Sequence, residues 1–202
     1  MVSLKLETPK VTLPDTEMGH RSEREVLLHS CCAPCSAAIL ETLLQHGFRP
    51  TVFYSNSNIY PHEEFLLRRN ECCRYAAKHG VEIVIDEYNH EAWTCISEGL
   101  EMEPERGARC FECFKFRLER AARYAHENGY LFLTTSLASS RWKSLDQVNT
   151  AGKYACSLFP GVTWWPQNWR KGGLQSRRTE IIKEENFYNQ HYCGCEFSLR
   201  DK

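Results

Sequence analysis

Glu25-Val-Leu-Leu-His-Ser-Cys-Cys-Ala-Pro-Cys-Ser36 is an apolar segment that runs directly into three cysteines. Its first six residues are short and apolar after a charged start, a pattern that predicts a buried strand. Pro34 suits the first turn of a following helix, where its missing N–H is not needed, and Gly47 suits the residue that ends this helix. The stretch therefore predicts a strand that turns into a helix, with thiols at the turn.

The same alternation continues downstream. Short apolar segments separated by amphipathic segments predict an α/β fold, in which a Rossmann-like parallel sheet carries helices on both faces. Further strands are predicted at 51–55, 81–86 and 130–135, and further helices at 61–79, 111–128, 145–157 and 174–187.

Length and composition predict one domain. A chain of 202 residues buries a substantial core without disulfides, and we expect a flexible N-terminal arm over 1–24 followed by a single α/β domain over 25–202. No secretory leader and no membrane-spanning segment is evident, so we expect a cytoplasmic protein without a membrane partner. The net charge of −1 means that any nucleic acid must bind a local basic patch.

Seven of the eleven cysteines fall into three groups: the junction cysteines Cys31, Cys32 and Cys35, the helix cysteines Cys110 and Cys113, and the tail cysteines Cys193 and Cys195. Thiolates are ligands for zinc, iron and iron–sulfur clusters. Ligand sites of open α/β sheets lie at the carboxyl ends of the strands, where the junction cysteines are predicted. We therefore expect one Cys-rich metal site at this edge. The other four thiols, Cys72, Cys73, Cys95 and Cys156, are expected to be structural.

Two simpler interpretations of the thiols account for only part of them. A thioredoxin-like oxidoreductase uses the Cys32-Ala-Pro-Cys35 pair and leaves five clustered thiols without a role. A zinc-stabilised RNA-binding module uses four. An iron–sulfur cluster also takes four, which leaves three for a second iron or a redox-active pair. The vicinal pair Cys31-Cys32 favours two neighbouring metals, because adjacent side chains do not easily face one ion.

Basic and aromatic residues gather in two further places. Arg141-Trp-Lys143 is one, and Arg170-Lys171 follows the Trp-rich segment 164–169. Cations beside exposed rings are typical of RNA binding, although rings this dense are equally typical of a core. Arg68-Arg69 is interpreted as a solvated helix face.

Taken together, the motifs resemble those of the QueH-type epoxyqueuosine reductases, from about Glu25 onward. The residues that carry the resemblance are His29-Ser-Cys-Cys-Ala-Pro-Cys35, Asn58-Ile-Tyr-Pro61, Gly99-Leu-Glu-Met-Glu-Pro-Glu105 with Gly107, Arg109-Cys-Phe-Glu-Cys-Phe114 with Arg117-Leu118, Asn168-Trp-Arg-Lys-Gly-Gly173 and Tyr188-Asn-Gln-His-Tyr-Cys-Gly-Cys195. Asn189 and Trp169 depart from the family pattern at positions expected to contact substrate.

The resemblance implies an adenine nucleotide α-hydrolase-like fold with a [4Fe–4S] cluster and a further iron. It implies reductive removal of the epoxide oxygen of epoxyqueuosine at the wobble position of tRNA, without cobalamin. Ser30-Cys-Cys-Ala-Pro-Cys35 replaces the phosphate loop of nucleotide hydrolases, so we expect no use of ATP. The partners are tRNA and a low-potential electron donor of the ferredoxin or flavodoxin type.

Two assignments of the thiols remain open at this point. In the first, Cys32, Cys110 and Cys113 hold the cluster with Cys31 or one tail cysteine, and the remaining thiols, with Cys35, hold an open-sited iron that acts as a Lewis acid. In the second, the helix cysteines and the vicinal pair Cys31-Cys32 hold the cluster, and the tail cysteines form a redox-active dithiol.

The catalytic thiols follow from these assignments, whereas the proton donor is expected from position alone and the tRNA contacts from the basic and aromatic stretches. The catalytic thiols are Cys35, Cys193 and Cys195. Candidates for the proton donor are Tyr192, Tyr60 and His29. The residues expected to bind tRNA are Arg141, Lys143, Arg170, Lys171 and Tyr192.

Overall fold

A computed structural model describes residues 4–10 and 21–199 of the chain. Within these ranges, no helix is long and apolar enough to cross a bilayer. The strands are β1 (Glu25–His29), β2 (Arg49–Tyr54), β3 (Ile83–Ile85), β4 (Phe132–Thr135) and β5 (Thr163–Trp164). The helices are α1 (Ala33–Gln45), α2 (His62–Lys78), α3 (His90–Ser97), α4 (Ala108–Glu127), α5 (Leu145–Ser157) and α6 (Leu174–Glu184), with single 3-10 turns at Ser136–Ser139 and Glu196–Ser198.

The five strands form one parallel sheet in the order β3-β2-β1-β4-β5. The chain moves outward from β1 through β2 to β3, then crosses back to β4 and continues to β5. Helix α1 packs against α2 and α6, and α4 packs against α3 and α5. Parallel pairs joined by right-handed crossovers place these two groups of helices on opposite faces of the sheet. The predicted α/β fold with a parallel sheet is confirmed.

Strand β1 is the centre of the core. Val26, Leu27 and Leu28 are fully buried, because β1 is paired on both edges and covered on both faces. In register, His29 pairs with Phe53 of β2 and Thr135 of β4, so the carboxyl ends of three strands lie level at one edge. The residues after β1 and β4 are thereby brought together.

Three details differ from the sequence-based prediction. Strand β5 and helix α3 are not predicted, and β3 has three residues instead of six. Strand β5 escapes prediction because two residues carry no periodicity. It is nevertheless firmly packed, since a Cβ on Gly152 of α5 would lie 2.3 Å from the Trp164 ring.

The Trp-rich segment belongs to the core. Trp164, Trp165 and Trp169 are 7%, 1% and 0% exposed, so the core interpretation of these rings holds and the RNA-stacking interpretation is wrong. Trp169 also donates its indole N–H to Thr134 Oγ1 at 3.1 Å. The expectation that Trp169 contacts substrate is therefore wrong.

The N-terminal segment 4–10 crosses the domain surface. Leu4 and Leu6 pack against the core, and the Leu4 backbone passes so close to Gly172 that a Cβ there would lie 2.7 Å from the Leu4 Cα. Gly172 also has φ +64, which favours glycine. Residues 11–20 of the predicted arm lie outside the described residues, and the flexibility of the arm stays a prediction.

Candidate metal and substrate site

The sheet reverses its winding between β1 and β4, and the junction cysteines lie at this point. The Cys31 amide donates to Ser136 Oγ at 2.9 Å, and the Ser136 hydroxyl donates to Cys31 Sγ at 3.2 Å. Ser136 directly follows β4, so one hydroxyl joins the two strand ends. A crevice at such a point is where open α/β sheets bind ligands, and the predicted position of the junction cysteines at this edge is confirmed.

The three junction sulfurs converge. The Sγ atoms of Cys31, Cys32 and Cys35 all lie within 4.8 Å of one another, and those of Cys31 and Cys32 are 3.8 Å apart. Cys32 has an extended backbone (φ −175°) just before α1, which lets both vicinal side chains face inward. The sequence-based expectation of two metals assumed that adjacent side chains do not easily face one ion. That assumption is wrong for Cys31 and Cys32, whose sulfurs converge. This group is able to hold a metal ion.

The junction favours a thiolate at Cys31. Hydrogen bonds from the Cys32 and Cys35 thiols lower the pKa of Cys31 well below its ordinary value, against the opposing effect of burial. The pKa of Cys35 is correspondingly raised to about 11, mainly by its hydrogen bond to Cys31. A thiolate among neutral thiols is a nucleophilic, metal-binding arrangement.

Cys110 lies in the first turn of α4. Its sulfur accepts a hydrogen bond from the Arg106 amide at 3.3 Å. Burial raises its pKa, and electrostatic interaction with Cys193 and Cys195 raises it further. Helix α4 and the tail therefore bring their thiols into electrostatic range of one another.

Cys113 faces a small apolar cluster separate from the main core. It is packed with Cys195 and Trp93, and all three are buried. Burial raises the pKa of Cys113, and the charges of Cys193 and Cys110 add to the effect. The Trp93 indole N–H is buried without a nitrogen or oxygen acceptor among the described residues. The helix and tail cysteines thus form a second group of four thiols.

Arg68 of α2 fixes the tail. Its guanidinium donates to the Cys193 carbonyl at 3.0 Å and lies 2.6 Å from the Glu64 carboxylate. The Arg68 side chain is 2% exposed. The interpretation of Arg68 as a solvated residue is therefore wrong. The sequence does not reveal this, because the backbone carbonyls that Arg68 binds lie more than a hundred residues away in the tail. The glutamate four residues earlier is the only local signal for a buried pair, and such pairs are also common on surfaces.

Gly194 lets the tail approach α2. The Tyr60 amide donates to the Gly194 carbonyl at 2.8 Å. Gly194 has φ +124, and a Cβ there would lie 3.0 Å from both Arg68 Nη1 and Ile59 Cγ1. The tail cysteines reach the site because the residue between them has no side chain.

Lys143 links the two groups of thiols. Its ammonium donates to Cys193 Sγ at 3.3 Å. Burial alone would lower its pKa, but electrostatic interaction with Cys193, Cys31 and Cys35 raises it above the ordinary value. Lys143 is therefore placed among the thiols rather than on the outer surface.

A small cavity opens beside the thiols and the side chain of Lys143. Two carboxamide oxygens in its wall, Oδ1 of Asn58 and Oε1 of Gln190, are buried without a hydrogen-bond partner within the described ranges. Buried acceptors of this kind are normally satisfied, so they suit a bound polar ligand. The lining residues are Cys31, Cys35, Asn56, Asn58, Ile59, Arg68, Arg117, Ser140, Lys143, Gln190 and Cys193. Of these, only Cys31, Cys35, Lys143 and Cys193 are predicted as site residues from the sequence.

His29 does not line the cavity. It is fully buried, with Nδ1 2.7 Å from Thr135 Oγ1 and Nε2 3.1 Å from the Ser55 carbonyl. Burial lowers its pKa to about 3. With both ring nitrogens engaged in holding the strand ends together, His29 is a structural residue.

The remaining predicted tRNA-binding residues do not line the cavity and have different settings. Arg141 and Lys171 are exposed, whereas Arg170 is half-buried and donates to the Lys143 carbonyl at 2.8 Å. Tyr192 is half-buried, and its hydroxyl donates to the Tyr60 carbonyl.

Among the four unclustered cysteines, Cys72 lies nearest the site. Its sulfur is 3.6 Å from Ser30 Oγ. Burial raises its pKa, and electrostatic interaction with Cys31 contributes. Cys156 is buried, Cys73 half-buried and Cys95 exposed. All eleven cysteines lie in the described part of the chain, and all are free thiols.

Comparison with known proteins identifies the family. A family model described as "Epoxyqueuosine reductase QueH" matches residues 26–201. Proteins of that name from Acinetobacter baylyi and Haemophilus influenzae are 46% and 45% identical to this chain over 95% of its length, which covers 85% and 76% of theirs. The protein of that name from Thermotoga maritima is 33% identical over 88% of the chain and 91% of its own length. The chain with converging thiols at its strand ends belongs to the QueH family of epoxyqueuosine reductases.

Proposed function

We propose that this protein reduces epoxyqueuosine to queuosine in the wobble position of tRNA. The observation that carries the proposal is a cavity at the switch point of the sheet that is lined by thiols from two distant segments, Cys31, Cys35 and Cys193. The other four clustered thiols lie behind this lining, Cys32 within 4.8 Å of its two junction neighbours and the rest within electrostatic range of Cys193. This arrangement, in a chain of the QueH family, has the redox-capable ligands and the enclosed space that a reductive deoxygenation requires.

The junction cysteines fit a single metal ion. Thiolates about 2.3 Å from a tetrahedral ion lie about 3.8 Å from one another. The Cys31–Cys32 separation of 3.8 Å and the limit of 4.8 Å for the group agree with that geometry. Because Cys31 and Cys35 line the cavity, an ion held by this group would be accessible to substrate there. We assign the single iron to this group.

The helix and tail cysteines fit an iron–sulfur cluster. They are four in number, as a [4Fe–4S] cluster requires. Their sulfur atoms are more widely spaced than those of the junction group, which lie within 4.8 Å of one another. When bound, the two metal centres would supply single electrons and a Lewis acid at the epoxide oxygen. The resemblance to cobalamin-independent enzymes leaves no role for cobalamin.

The cavity residues bind and orient the substrate. The free acceptors on Asn58 and Gln190 suit hydroxyl donors, which the cyclopentane ring of epoxyqueuosine carries. Lys143 and Arg117 supply donors for its oxygen atoms. Since a polar ligand satisfies groups that are otherwise left unpaired, analogues without these hydroxyls are rejected.

The overall reaction takes two electrons and two protons. Both C–O bonds of the epoxide break, the oxygen leaves as water, and a carbon–carbon double bond forms. The electrons come from a low-potential donor of the ferredoxin or flavodoxin type. In this proposal Arg141, Lys171 and Tyr192 contact the tRNA near the cavity. The fold is assigned to the adenine nucleotide α-hydrolase type, but the reaction uses no ATP. Free thiols throughout the chain support a cytoplasmic location.

The test compares serine variants of each group in protein purified without oxygen. Cys32→Ser is expected to lose iron while keeping its acid-labile sulfide, because Cys32 is assigned to the single iron. Cys113→Ser and Cys195→Ser are expected to lose sulfide. Cys73→Ser, half-buried on α2, is the matched control and keeps both. Each loaded protein is then assayed for loss of epoxyqueuosine from tRNA.

Other outcomes separate the alternatives. Loss of sulfide in Cys32→Ser would place Cys32 on the cluster and contradict this assignment. Retention of sulfide in Cys195→Ser would favour a tail dithiol. Colourless wild-type protein with one zinc and no sulfide would overturn the reductase itself in favour of a zinc-stabilised RNA-binding module.

A further inference from the structure

One tryptophan is exposed while the other four are in the interior. Trp142 is 65% exposed, whereas Trp93, Trp164, Trp165 and Trp169 are 7% exposed or less. The Arg141 guanidinium lies 5.2 Å from the Trp142 ring centroid. A large ring that is left in solvent beside a cation is not accounted for by packing.

The loop that carries Trp142 is firmly held. Arg106 donates to the carbonyls of Arg141 and Trp142 at 3.1 and 3.0 Å, and Arg170 donates to the carbonyl of Lys143. The Trp142 amide donates to Ser140 Oγ at 3.3 Å. Three consecutive carbonyls are thus bound by arginines from two distant segments, so the backbone under the ring is fixed before any partner binds.

The loop that carries the ring forms part of the wall of the substrate cavity. Ser140 and Lys143, on either side of the Arg141-Trp142 pair, both line the cavity, and Lys143 contacts Cys193. A nucleotide whose base enters the cavity leaves its sequence neighbour outside, beside this ring. Arg141, beside the ring, is exposed and is available to a phosphate.

We propose that Trp142 is a stacking platform for an unpaired base of the RNA substrate, next to the nucleotide whose modified base enters the cysteine-lined cavity. The proposal rests on the proposed function and adds a second base-binding position to it. Single-stranded loops are recognised by bases that unstack and lie on aromatic side chains or guanidinium planes, and Trp142 with Arg141 supplies both. Because the loop is already ordered, binding does not bear the cost of ordering it.

The test measures binding of an unmodified tRNA anticodon stem-loop to the holoenzyme. Trp142→Ala is expected to weaken binding about tenfold, the loss typical of one base–aromatic stack. Trp142→Phe keeps a stacking face and is expected to retain most of the affinity. Tyr154→Ala is the matched control, because Tyr154 is also an exposed ring (42%) with a cation, Lys115, 5.0 Å from its centroid. Tyr154 lies about 14 Å along α5 from Leu145, the first residue of this helix after the Trp142 loop. Its substitution is therefore expected to leave binding unchanged.

A fluorescent base identifies the stacked nucleotide. With 2-aminopurine next to the wobble position, wild-type protein and Trp142→Phe are expected to change its emission on binding, and Trp142→Leu is not. Equal stem-loop affinity of Trp142→Ala and wild type, in a protein that reduces epoxyqueuosine in tRNA, would overturn the stacking proposal alone. A wild-type holoenzyme that neither binds the stem-loop nor reduces epoxyqueuosine would overturn the proposed function with it.

Discussion

The junction cysteines and the tail cysteines are brought to the same edge of the sheet by different means. Cys31, Cys32 and Cys35 occupy one continuous strand–helix junction, so the local backbone is sufficient to bring their sulfurs within 4.8 Å. The tail cysteines are held by contacts to Tyr60, Arg68 and Lys143, all remote in sequence. A site built on one junction is specified locally, whereas one completed by a tail depends on each long-range contact.

The strongest test of this comparison removes Arg68. Arg68→Ala deletes the donor to the Cys193 carbonyl and leaves the Glu64 carboxylate, 11% exposed, without its cation. Breaking a buried pair in this way is expected to lower the free energy of unfolding by about 3–5 kcal/mol. Chemical denaturation measures this, and limited proteolysis of the native protein is expected to cut the tail first.

The neighbouring arginine is the control. Arg69 is half-buried and, among the described residues, donates only to Asn70, so Arg69→Ala is expected to change stability by less than about 0.5 kcal/mol. Arg68→Lys keeps the charge but loses the planar set of guanidinium N–H donors. Its free energy of unfolding is expected to lie between those of Arg68→Ala and Arg69→Ala. Equal stability of Arg68→Ala and Arg69→Ala would show that the tail does not depend on this anchor.

Gly194→Ala acts on the tail alone. A non-glycine residue at φ +124 is strained, and its Cβ would press on Arg68 and Ile59, so we expect a loss of about 1–3 kcal/mol. In the metal-free protein the tail cysteines are expected to react faster with a thiol reagent, while the junction cysteines keep their rates. Mass spectrometry of labelled peptides distinguishes the two groups.

Gly47→Ala provides the comparison for backbone strain. Gly47 has φ +76 at the end of α1, and nothing lies within 4 Å of a Cβ there. The substitution is expected to cost stability without changing the reactivity of the tail cysteines. Faster labelling of the tail in both variants would mean that global loosening, rather than local displacement, exposes it.

The smallest effect is expected at the junction. Ser136→Ala leaves the Cys31 amide without its acceptor, which is expected to cost about 1–2 kcal/mol. The junction sulfurs are nevertheless expected to stay together, since the backbone of β1 and α1 places them. Cobalt(II) titration of the metal-free variant, read from the thiolate charge-transfer band, is expected to show the same binding as wild type. Loss of that band would show that the junction also depends on a distant residue.

The sequence predicts those parts of the fold that repeat a local pattern. Strand β1 and helix α1 are correctly predicted because apolar periodicity, Pro34 and Gly47 all agree. Strand β5 and the burial of Trp169 are not predicted, because both depend on neighbouring residues that come together only in the folded sheet.

The site divides in the same way. The location of the junction cysteines follows from the strand that precedes them, since ligand sites of open α/β sheets lie at strand carboxyl ends. Arg68 is misassigned because its charge indicates solvent, and only the tail shows that it is buried. Ser136 belongs to no motif, and Gln190 is not singled out within the Tyr188–Cys195 motif, because the roles of both emerge only when three segments meet at one edge.

The remote anchoring of the tail also sets an order of events during synthesis. Ribosomes add about 5–20 residues per second, so roughly 10–30 s separates the appearance of Cys35 from that of Cys193. Throughout that interval the nascent chain presents Cys31, Cys32 and Cys35 without the residues that later close over them. The junction therefore encounters metal, oxidants and other thiols first, and the complete site forms only when the tail arrives.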